Sequence, residues 1–431
     1  MIPSERLRVL LSRSGMLLVL AALAAFFSIA TVADQPAEGR AGAQQLFSWL
    51  DAAPPGPLLL AAGEGPADEE FVREMLSRAP SGHTVTVVRN AAAAKSALEA
   101  QPEAIAASAA AAAWLVFDPV RDRVRTPRTY RFPNFLKFEN LRNISSQIAI
   151  IAILAVGMTL VILTAGIDLS VGSVVALSAM TTAWLIAHVG GGTAASTGSL
   201  LLAAAGGVGI GALAGALNGG LVALCRVPSF IATLAMMQVA RGLSFKIGDG
   251  QSISRMPESF GVLGRKFTLG LPNMTLLMLG LYVVAHVFMT RTVRGRHIYA
   301  LGANHRAAQF SGISLAGTRF QVFLTAGLLA GLAGVALCSQ LLSGDPKYGE
   351  GYELQAIAAA VVGGTSLSGG RGTVFGTLIG AFIIAVLENG LNMLQVDEYN
   401  RRIVIGLVIL AAVLVDRFGP ARKRSSNLFV A

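Results

Sequence analysis

The chain contains repeated apolar runs long enough to cross a lipid bilayer. A hydrocarbon core about 30 Å thick is spanned by a helix of roughly 20 apolar residues. Eight runs approach this length: Gly15–Val32, Ile148–Ala165, Val171–Val189, Leu200–Cys225, Leu271–Thr290, Phe320–Leu342, Gly372–Leu391 and Ile403–Val415. Two weaker runs are Ser229–Ile247 and Leu354–Gly364, and the second is too short to span alone. The pattern predicts an all-α polytopic membrane protein with about ten transmembrane helices.

Composition and charge agree with a membrane protein. Of the 431 residues, 54% are hydrophobic and only 13% are charged, whereas about a quarter of the residues in soluble domains are charged. The net charge is +10, but the basic residues lie mostly in short segments beside apolar runs, where they set orientation. No nucleic-acid partner is therefore expected. The two cysteines show no disulfide or metal spacing.

The distribution of basic residues predicts the orientation. Lys and Arg are enriched in cytoplasmic loops. Basic clusters occur before the first run, between residues 290 and 319, and in the tail "DRFGPARKR", and all three fall on one side if both termini are cytoplasmic. Arg401 and Arg402 fall on the other side and disagree with this assignment. We expect a multi-pass protein of a bacterial inner (plasma) membrane.

One long polar segment follows the first run. We divide the chain into a tail and first helix (1–32), an extracytoplasmic insertion (33–135) and a transmembrane domain (136–431). Within the insertion, "PLLLAAG" (57–63), "TVTVV" (84–88) and "WLVFD" (114–118) have strand character, and helical patterns cover 68–79 and 91–113. This order predicts a small α/β unit, with a loose alanine-rich loop as the alternative. The first run is read as a retained anchor rather than a cleaved signal peptide.

The carboxylate of Asp168 stands between two apolar runs, in "GIDLSVG". A buried charge there is costly unless it is paired or hydrated. Gly166 permits a sharp break, and Ser170 is placed to cap the next helix, so the carboxylate can accept hydrogen bonds from free amides at the helix start. We favour a structural turn, while sugar binding and a proton relay remain alternatives.

Other polar residues lie deep in apolar runs. Glu388, Asn389 and Asn392 lie on one helix and include an i, i+4 pair, which defines a face directed away from lipid. Asn218 lies beside glycines 207, 211, 215 and 219, whose four-residue spacing predicts close helix packing. With Asp168 and Gln238, these residues are candidates for lining a pathway for a neutral polyol, and helix–helix hydrogen bonding is the alternative. No metal site, cofactor or catalytic constellation is expected.

Four segments resemble a known family. They are "PNFLKFENLRNISSQIAIIAILAVGMTLVILTAGIDLSVGSVVALSAM" (133–180), "VPSFIATLAMMQVARGLSF" (227–245), "RGRHIYALGANHRAAQFSGIS" (294–314) and "GYELQAIAAAVVGGTSLSGGRGTVFGTLIGAFIIAVLENGLNML" (351–394). They are similar to the membrane subunit of ribose-type and other monosaccharide importers of the ATP-binding-cassette (ABC) class. The insertion departs from that family, so its role is not implied.

The resemblance implies a permease with partners. These are a separate ATPase, a periplasmic sugar-binding protein and a second permease copy, with a monosaccharide such as ribose as substrate. The chain itself is not expected to be an enzyme. Its glycine-rich "GGTSLSGGRGT" (363–373) lacks the Lys followed by Ser or Thr that a phosphate-binding P-loop needs.

The loop "GANHRAAQFSGI" has the features of an ATPase-docking helix. In it, Gly302 permits a turn, Asn304 is a good N-cap, Ala307 and Ala308 allow close approach of a partner, and Gly312 can end the helix. Arg306 adds positive charge. The alternative is a connecting loop whose arginines only hold topology.

Two other function classes remain open. An ion-coupled secondary transporter of a polar solute would need more intramembrane ionisable groups than Asp168 and Glu388, and usually repeated halves. A tethered sensor or enzyme would need a catalytic constellation in the insertion, where His83 stands alone among scattered acids.

Overall fold

The computed structural model describes residues 3–80 and 82–418, so residues 419–424 of the basic tail lie outside it. The described chain divides into two compact units, one of residues 3–28 with 137–418 and the other Ile29–Leu136. The first helix, α1 (Pro3–Ala30), contributes Phe27, a buried ring, to the first unit. That ring packs on Gly390, where a β-carbon would lie 2.4 Å from it.

The unit Ile29–Leu136 is an α/β fold. Its elements are β1 (Val32–Pro36), α2 (Gly39–Ala52), β2 (Pro57–Ala61), α3 (Pro66–Arg78), β3 (Thr84–Val88), α4 (Ala91–Glu99), β4 (Ala104–Ala107), β5 (Val124–Arg125) and β6 (Thr129–Pro133). Four strands form a parallel sheet in the order β3-β2-β4-β5, and β1 pairs antiparallel with β6. Leu58 and Leu60 face one buried cluster, while Leu59 and Ala61 face another, as the two-residue period of a strand requires.

Two predictions inside this unit are wrong. The helix predicted over 91–113 ends at Glu99, and its continuation Ala104–Ala107 is a strand. All four of its side chains are almost fully buried, because this strand lies between β2 and β5, where burial overrides the helix propensity of alanine. The predicted strand 114–118 falls in 3₁₀ structure instead. Trp114 and Phe117, three residues apart, stack with ring centroids 6.1 Å apart.

The other unit is a helical bundle with two short strands. After α1 it contains α5 (Phe138–Leu163), α6 (Val171–Trp184), α7 (Thr197–Ala223), α8 (Ser229–Ile247), α9 (Val262–Arg265), β7 (Phe267–Thr268), β8 (Leu271–Pro272), α10 (Asn273–Arg291), α11 (Val293–Ala303), α12 (His305–Phe310), α13 (Leu315–Leu341), α14 (Tyr352–Val362), α15 (Val374–Met393) and α16 (Glu398–Phe418). A single π-helical turn, Leu185–Val189, extends α6.

Seven helices of the described chain are long and apolar enough to cross a membrane: α5, α6 with its π turn, α7, α8, α10, α13 and α15. Two shorter apolar helices, Gly15–Ala30 within α1 and α14, fall below that length. The structure therefore supports a polytopic membrane protein. The number of about ten transmembrane helices remains a prediction. Helix α14 has 11 residues, about 16 Å at 1.5 Å per residue, so it cannot span alone, as expected.

The glycine spacing in α7 has the packing role that was predicted. A β-carbon on Gly211 would lie 2.5 Å from the Cα of Gly331, and one on Gly327 would lie 2.6 Å from the Cα of Gly215. The backbones of α7 and α13 are therefore in direct contact, which only glycine permits. This crossing holds α7 and α13, both of 27 residues, together.

Candidate functional site

Three chain segments meet near α12, which marks one end of the bundle. Gly302, near the end of α11, leaves no room for a side chain: a β-carbon would lie 1.8 Å from the Leu163 carbonyl oxygen and 2.4 Å from the Gly370 nitrogen. The Gly370 N–H donates to the same Leu163 carbonyl, at 2.9 Å. Gly302 was expected to permit a turn, but it lies within a helix, and its function there is close packing. We call this end of the bundle the α12 end.

Helix α12 is capped as its sequence predicted. The Asn304 side chain accepts a hydrogen bond from the Ala307 N–H at 3.0 Å. At the other end, Gly312 has a φ of +78°, and the Ile313 N–H donates to the Ala308 carbonyl at 3.1 Å. This left-handed glycine ends the helix. The helix is therefore a defined structural element rather than an irregular loop.

The outward face of α12 differs from the one expected. Ala308 is 3% exposed and packs inward, so it is not available to a partner. Ala307 and Arg306 are exposed, and Phe310 is 91% exposed. The sequence analysis did not select Phe310 as a contact residue, although an aromatic residue in a short basic loop can indicate a protein interface. The face formed by Arg306, Ala307 and Phe310 is called the α12 face below.

The glycine-rich turn 363–373 supports α11. The Tyr299 hydroxyl donates to the Gly372 carbonyl at 2.9 Å, and burial raises the pKa of Tyr299. The Ser366 N–H donates to the Arg371 carbonyl at 2.9 Å. This is a tight turn, with Arg371 exposed.

A cavity of about 890 Å³ opens at the α12 end. Its lining includes Gln309 of α12, Ser229 at the start of α8, and the basic side chains of Arg226 and Arg319. No acidic side chain is among its described lining residues. The cavity is therefore polar and positively charged.

Two adjoining cavities lie at the opposite end of the bundle, where α5 begins. Their volumes are about 330 and 670 Å³, and Gln147, Gln355 and Glu388 line both. The larger one also contacts Asn389 and Asn392. The structure thus brings together three of the six residues predicted as pathway lining. Gln147, Gln355 and Arg401, from α5, α14 and α16, join them. The sequence did not mark these three as lining residues, because no local pattern shows that their helices meet α15.

The polar groups of these cavities are partly paired with one another. Glu388 Oε1 accepts from Gln355 Nε2 at 3.1 Å, and Arg401 Nη1 donates to Asn392 Oδ1 at 3.1 Å. Asn389 exchanges hydrogen bonds of 2.9 and 3.0 Å with Asn140. Asn389 therefore links α15 to α5 while also facing the cavity. Amide and carboxyl groups of this kind can exchange these bonds for bonds to hydroxyl groups.

The other three predicted lining residues lie elsewhere. Asp168 is 2% exposed and Asn218 is 0% exposed, and neither lines the cavities described above. Ser170 stands at the N-cap position of α6 but makes no side-chain cap bond; its hydroxyl instead donates to Asp168. Gln238 is exposed on the surface of α8.

A metal centre has no basis in the described residues. Among them, no group of three or more His, Cys, Asp or Glu side chains is arranged to hold a metal ion.

Comparisons with known proteins identify the helical unit. A family model described as "Branched-chain amino acid transport system / permease component" matches residues 140–413. The ribose import permease proteins of Escherichia coli (strain K12) and Bacillus subtilis (strain 168) are each 45% identical to the chain, over 66% of it and 87% of their own length. The L-arabinose transport system permease protein of Escherichia coli (strain K12) is 35% identical, over 68% of the chain and 87% of its own length. No solved structure matches. The chain belongs to this family of membrane permease components of transport systems.

Proposed function

We propose that the chain is the permease subunit of an ABC importer and forms the membrane pathway for a monosaccharide of the ribose or pentose type. The observation that carries this is the 45% identity to ribose import permeases over 87% of their length. The family description names amino acids, but the similar relatives named above transport sugars. The amide and carboxyl groups that line the cavities at the opposite end can form hydrogen bonds with the hydroxyl groups of a polyol.

Uptake by the reconstituted importer tests this function. Proteoliposomes holding the permease with its ATPase and binding protein should accumulate labelled ribose or arabinose when ATP is enclosed, and should not accumulate leucine. The permease alone should hydrolyse no ATP, because the turn 363–373 lacks the P-loop lysine. Uptake that needs no ATP and collapses with a protonophore would instead identify a secondary transporter.

The ATPase is proposed to dock on the α12 face. Capped at both ends and anchored through α11, this short helix presents Phe310 almost fully exposed. An exposed aromatic ring beside a basic group is a typical anchor of a protein interface. With the ATPase on this side, the α12 end is cytoplasmic, in agreement with the basic residues around Arg306.

The unit Ile29–Leu136 is proposed as an accessory domain on the extracytoplasmic side, where the binding protein delivers sugar. It has its own parallel sheet and two buried clusters, which supports a folded unit. Right-side-out vesicles should therefore yield a protease-resistant fragment covering 57–107. Immediate cleavage throughout that range would contradict this.

A second permease copy is proposed to cover α8. Gln238 is exposed there beside Val239, which is 55% exposed, and an amide facing lipid is unfavourable. Contact with another subunit would satisfy it. Light scattering on the detergent-purified permease distinguishes one copy from two.

Glu388 is predicted to contribute directly to transport. Replacing Glu388 with Leu should lower the rate of uptake about tenfold or more with normal membrane insertion. A hydrogen bond to a charged group contributes about 1.5–3 kcal/mol, and this change removes the carboxylate shared by both cavities. Glu388→Gln should keep much of the activity, because an amide still bonds hydroxyl groups.

A matched control excludes a general effect of altering a membrane helix. Val284→Ala changes a 66% exposed side chain on α10 and should leave uptake unchanged. Leu387 is unsuitable as a control, since it is 6% exposed and its truncation would leave a cavity. Wild-type uptake in Glu388→Leu would remove this residue from the pathway.

A further inference from the structure

Asp168, at the break between α5 and α6, is linked to Asn218 on α7 through a short chain of buried hydrogen bonds. Its Oδ1 accepts two hydrogen bonds from Ser170, one from the backbone N–H at 2.9 Å and one from the hydroxyl at 2.6 Å. The same hydroxyl accepts from Asn218 Nδ2 at 2.9 Å. Asp168 and Asn218 therefore lie on either side of one shared hydroxyl, and all three side chains are almost completely buried.

The carbonyl oxygen of Asn218 has no donor. Among the described side chains, Asn218 Oδ1 is one of the buried polar atoms without a hydrogen-bond partner. Nδ2 of the same amide is already committed to Ser170. Buried polar groups in native proteins are nearly always paired, so a missing donor beside Asn218 Oδ1 requires an explanation.

Arg226 and Arg319 line the cavity that includes Gly166, but neither is paired with the Asp168 carboxylate. In the described chain, no ion pair includes Asp168. Helix α8 presents only neutral hydroxyl groups to this turn at these contacts. Ser229 accepts a hydrogen bond from the Ile167 N–H, and Thr233 accepts one from the Leu169 N–H.

The nearby charged groups do not change this balance. Helix α14 places the acidic Glu353 against Gly172, in the first turn of α6. Arg241 is committed elsewhere, since its guanidinium donates to the carbonyls of Pro346 and Tyr348 at 2.5 and 2.9 Å. An unpaired buried carboxylate is far more costly than its neutral acid.

We propose that Asp168 is protonated in the folded permease and that its Oδ2–H donates to Asn218 Oδ1. The carboxyl proton supplies the donor that the amide lacks. The result is a closed ring in which Asn218 Nδ2 donates to Ser170, the Ser170 hydroxyl donates to Asp168, and Asp168 donates back to Asn218. In this ring each side chain both donates and accepts.

The ring gives Asp168 a positioning role. It joins the break between α5 and α6 to α7 without placing a charge in the membrane. Asp168 then neither carries a mobile proton nor contacts the sugar, and its effect on transport comes only through holding the start of α6 against α7.

Replacement of Asp168 by the isosteric asparagine distinguishes a protonated Asp168 from an ionised one. In the reconstituted importer, Asp168→Asn should keep uptake within about twofold of wild type and leave the Tm of the permease unchanged, because an amide at 168 can accept from Ser170 and donate to Asn218. Asp168→Leu and Asn218→Leu should both lower the yield of folded protein. If Asp168→Asn is as damaging as Asp168→Leu, the ring is wrong.

Infrared spectroscopy of the purified permease provides a readout that does not depend on folding yield. At neutral pH the wild-type protein should show a protonated-carboxyl C=O band that is missing from Asp168→Asn, and its absence from wild type would overturn the proposal. A bound cation is the remaining competitor. A rise in wild-type Tm when sodium or potassium replaces choline, abolished by Asp168→Asn, would identify an ionised carboxylate and would equally overturn the proposal.

Discussion

Replacement of Phe310 with Asp is expected to abolish both association with the ATPase and uptake. The ring is 91% exposed on a helix capped at both ends, so its removal costs the folded permease little. In a docked complex the ring would be buried, and loss of a central aromatic anchor costs about 2 kcal/mol or more. A carboxylate at the same position adds the free-energy cost of removing a charge from water, so the affinity for the ATPase should fall by about 100-fold or more. Co-purification and ATP-driven uptake measure the effect.

Leu269→Asp is the matched control for this change. Leu269 is 92% exposed in the turn between β7 and β8, a position equal in exposure but outside the α12 face. Its φ of +54° also suits Asp. Leu269→Asp should leave ATPase association intact. Equal co-purification of both variants with the ATPase would show that the docking site lies elsewhere, with the turn around Arg371 as the next candidate.

Tryptophan substitutions at Ala307 and Ala308 distinguish an effect on ATPase docking from an effect on folding. Ala307 faces outward, so Ala307→Trp should block the ATPase by steric exclusion while the permease folds normally. Ala308 is buried, so Ala308→Trp should lower the yield of folded protein itself.

Replacement of Gly211 with Ala is expected to destabilise the permease strongly, because the new methyl group would lie 2.5 Å from the Cα of Gly331. Backbone atoms cannot move aside as a flexible side chain can, so α7 and α13 must separate. Overpacking of this kind costs about 1–3 kcal/mol. The yield of monodisperse protein and its Tm in detergent should both fall, and Gly211→Leu should give no folded protein.

Gly209 provides the control on the same helix. Nothing lies within 4 Å of a β-carbon placed on Gly209, so Gly209→Ala carries the same chemical change without the clash. Its Tm should equal or slightly exceed that of the wild type, since alanine favours helix. Equal losses in Gly209→Ala and Gly211→Ala would show that the helix crossing is not the cause.

Local signals predicted the ends of α12 correctly and its orientation incorrectly. Asn304 and Gly312 act through hydrogen bonds and backbone angles within a few residues, so the sequence is sufficient to recognise them. Whether Ala307 or Ala308 faces a partner depends on where α11 and α13 hold the helix. Phe310 shows the same limitation, because its exposure is a property of the assembled bundle.

The unit Ile29–Leu136 shows how burial overrides propensity. Alanine at 104–107 favours helix locally, yet this segment is a central strand because β2 on one side and β5 on the other need a hydrogen-bonding neighbour. No pattern within the segment carries that information. The strands Pro57–Ala61 and Thr84–Val88 were recognisable because their apolar and β-branched residues favour strands by themselves.

The sequence by itself determined that this chain is a polytopic membrane protein, because whether a segment can cross a bilayer depends only on its own length and hydrophobicity. It also determined the glycine contact face of α7, which follows from helical periodicity alone. Only the tertiary structure decided which polar residues share a site. Glu388 meets Gln147 and Gln355 from other helices, and Asp168 meets Asn218 through Ser170. These pairings depend on the angles at which the helices cross. The crossing angles are set by contacts between segments far apart in the chain, and the periodicity of one segment carries no information about such contacts.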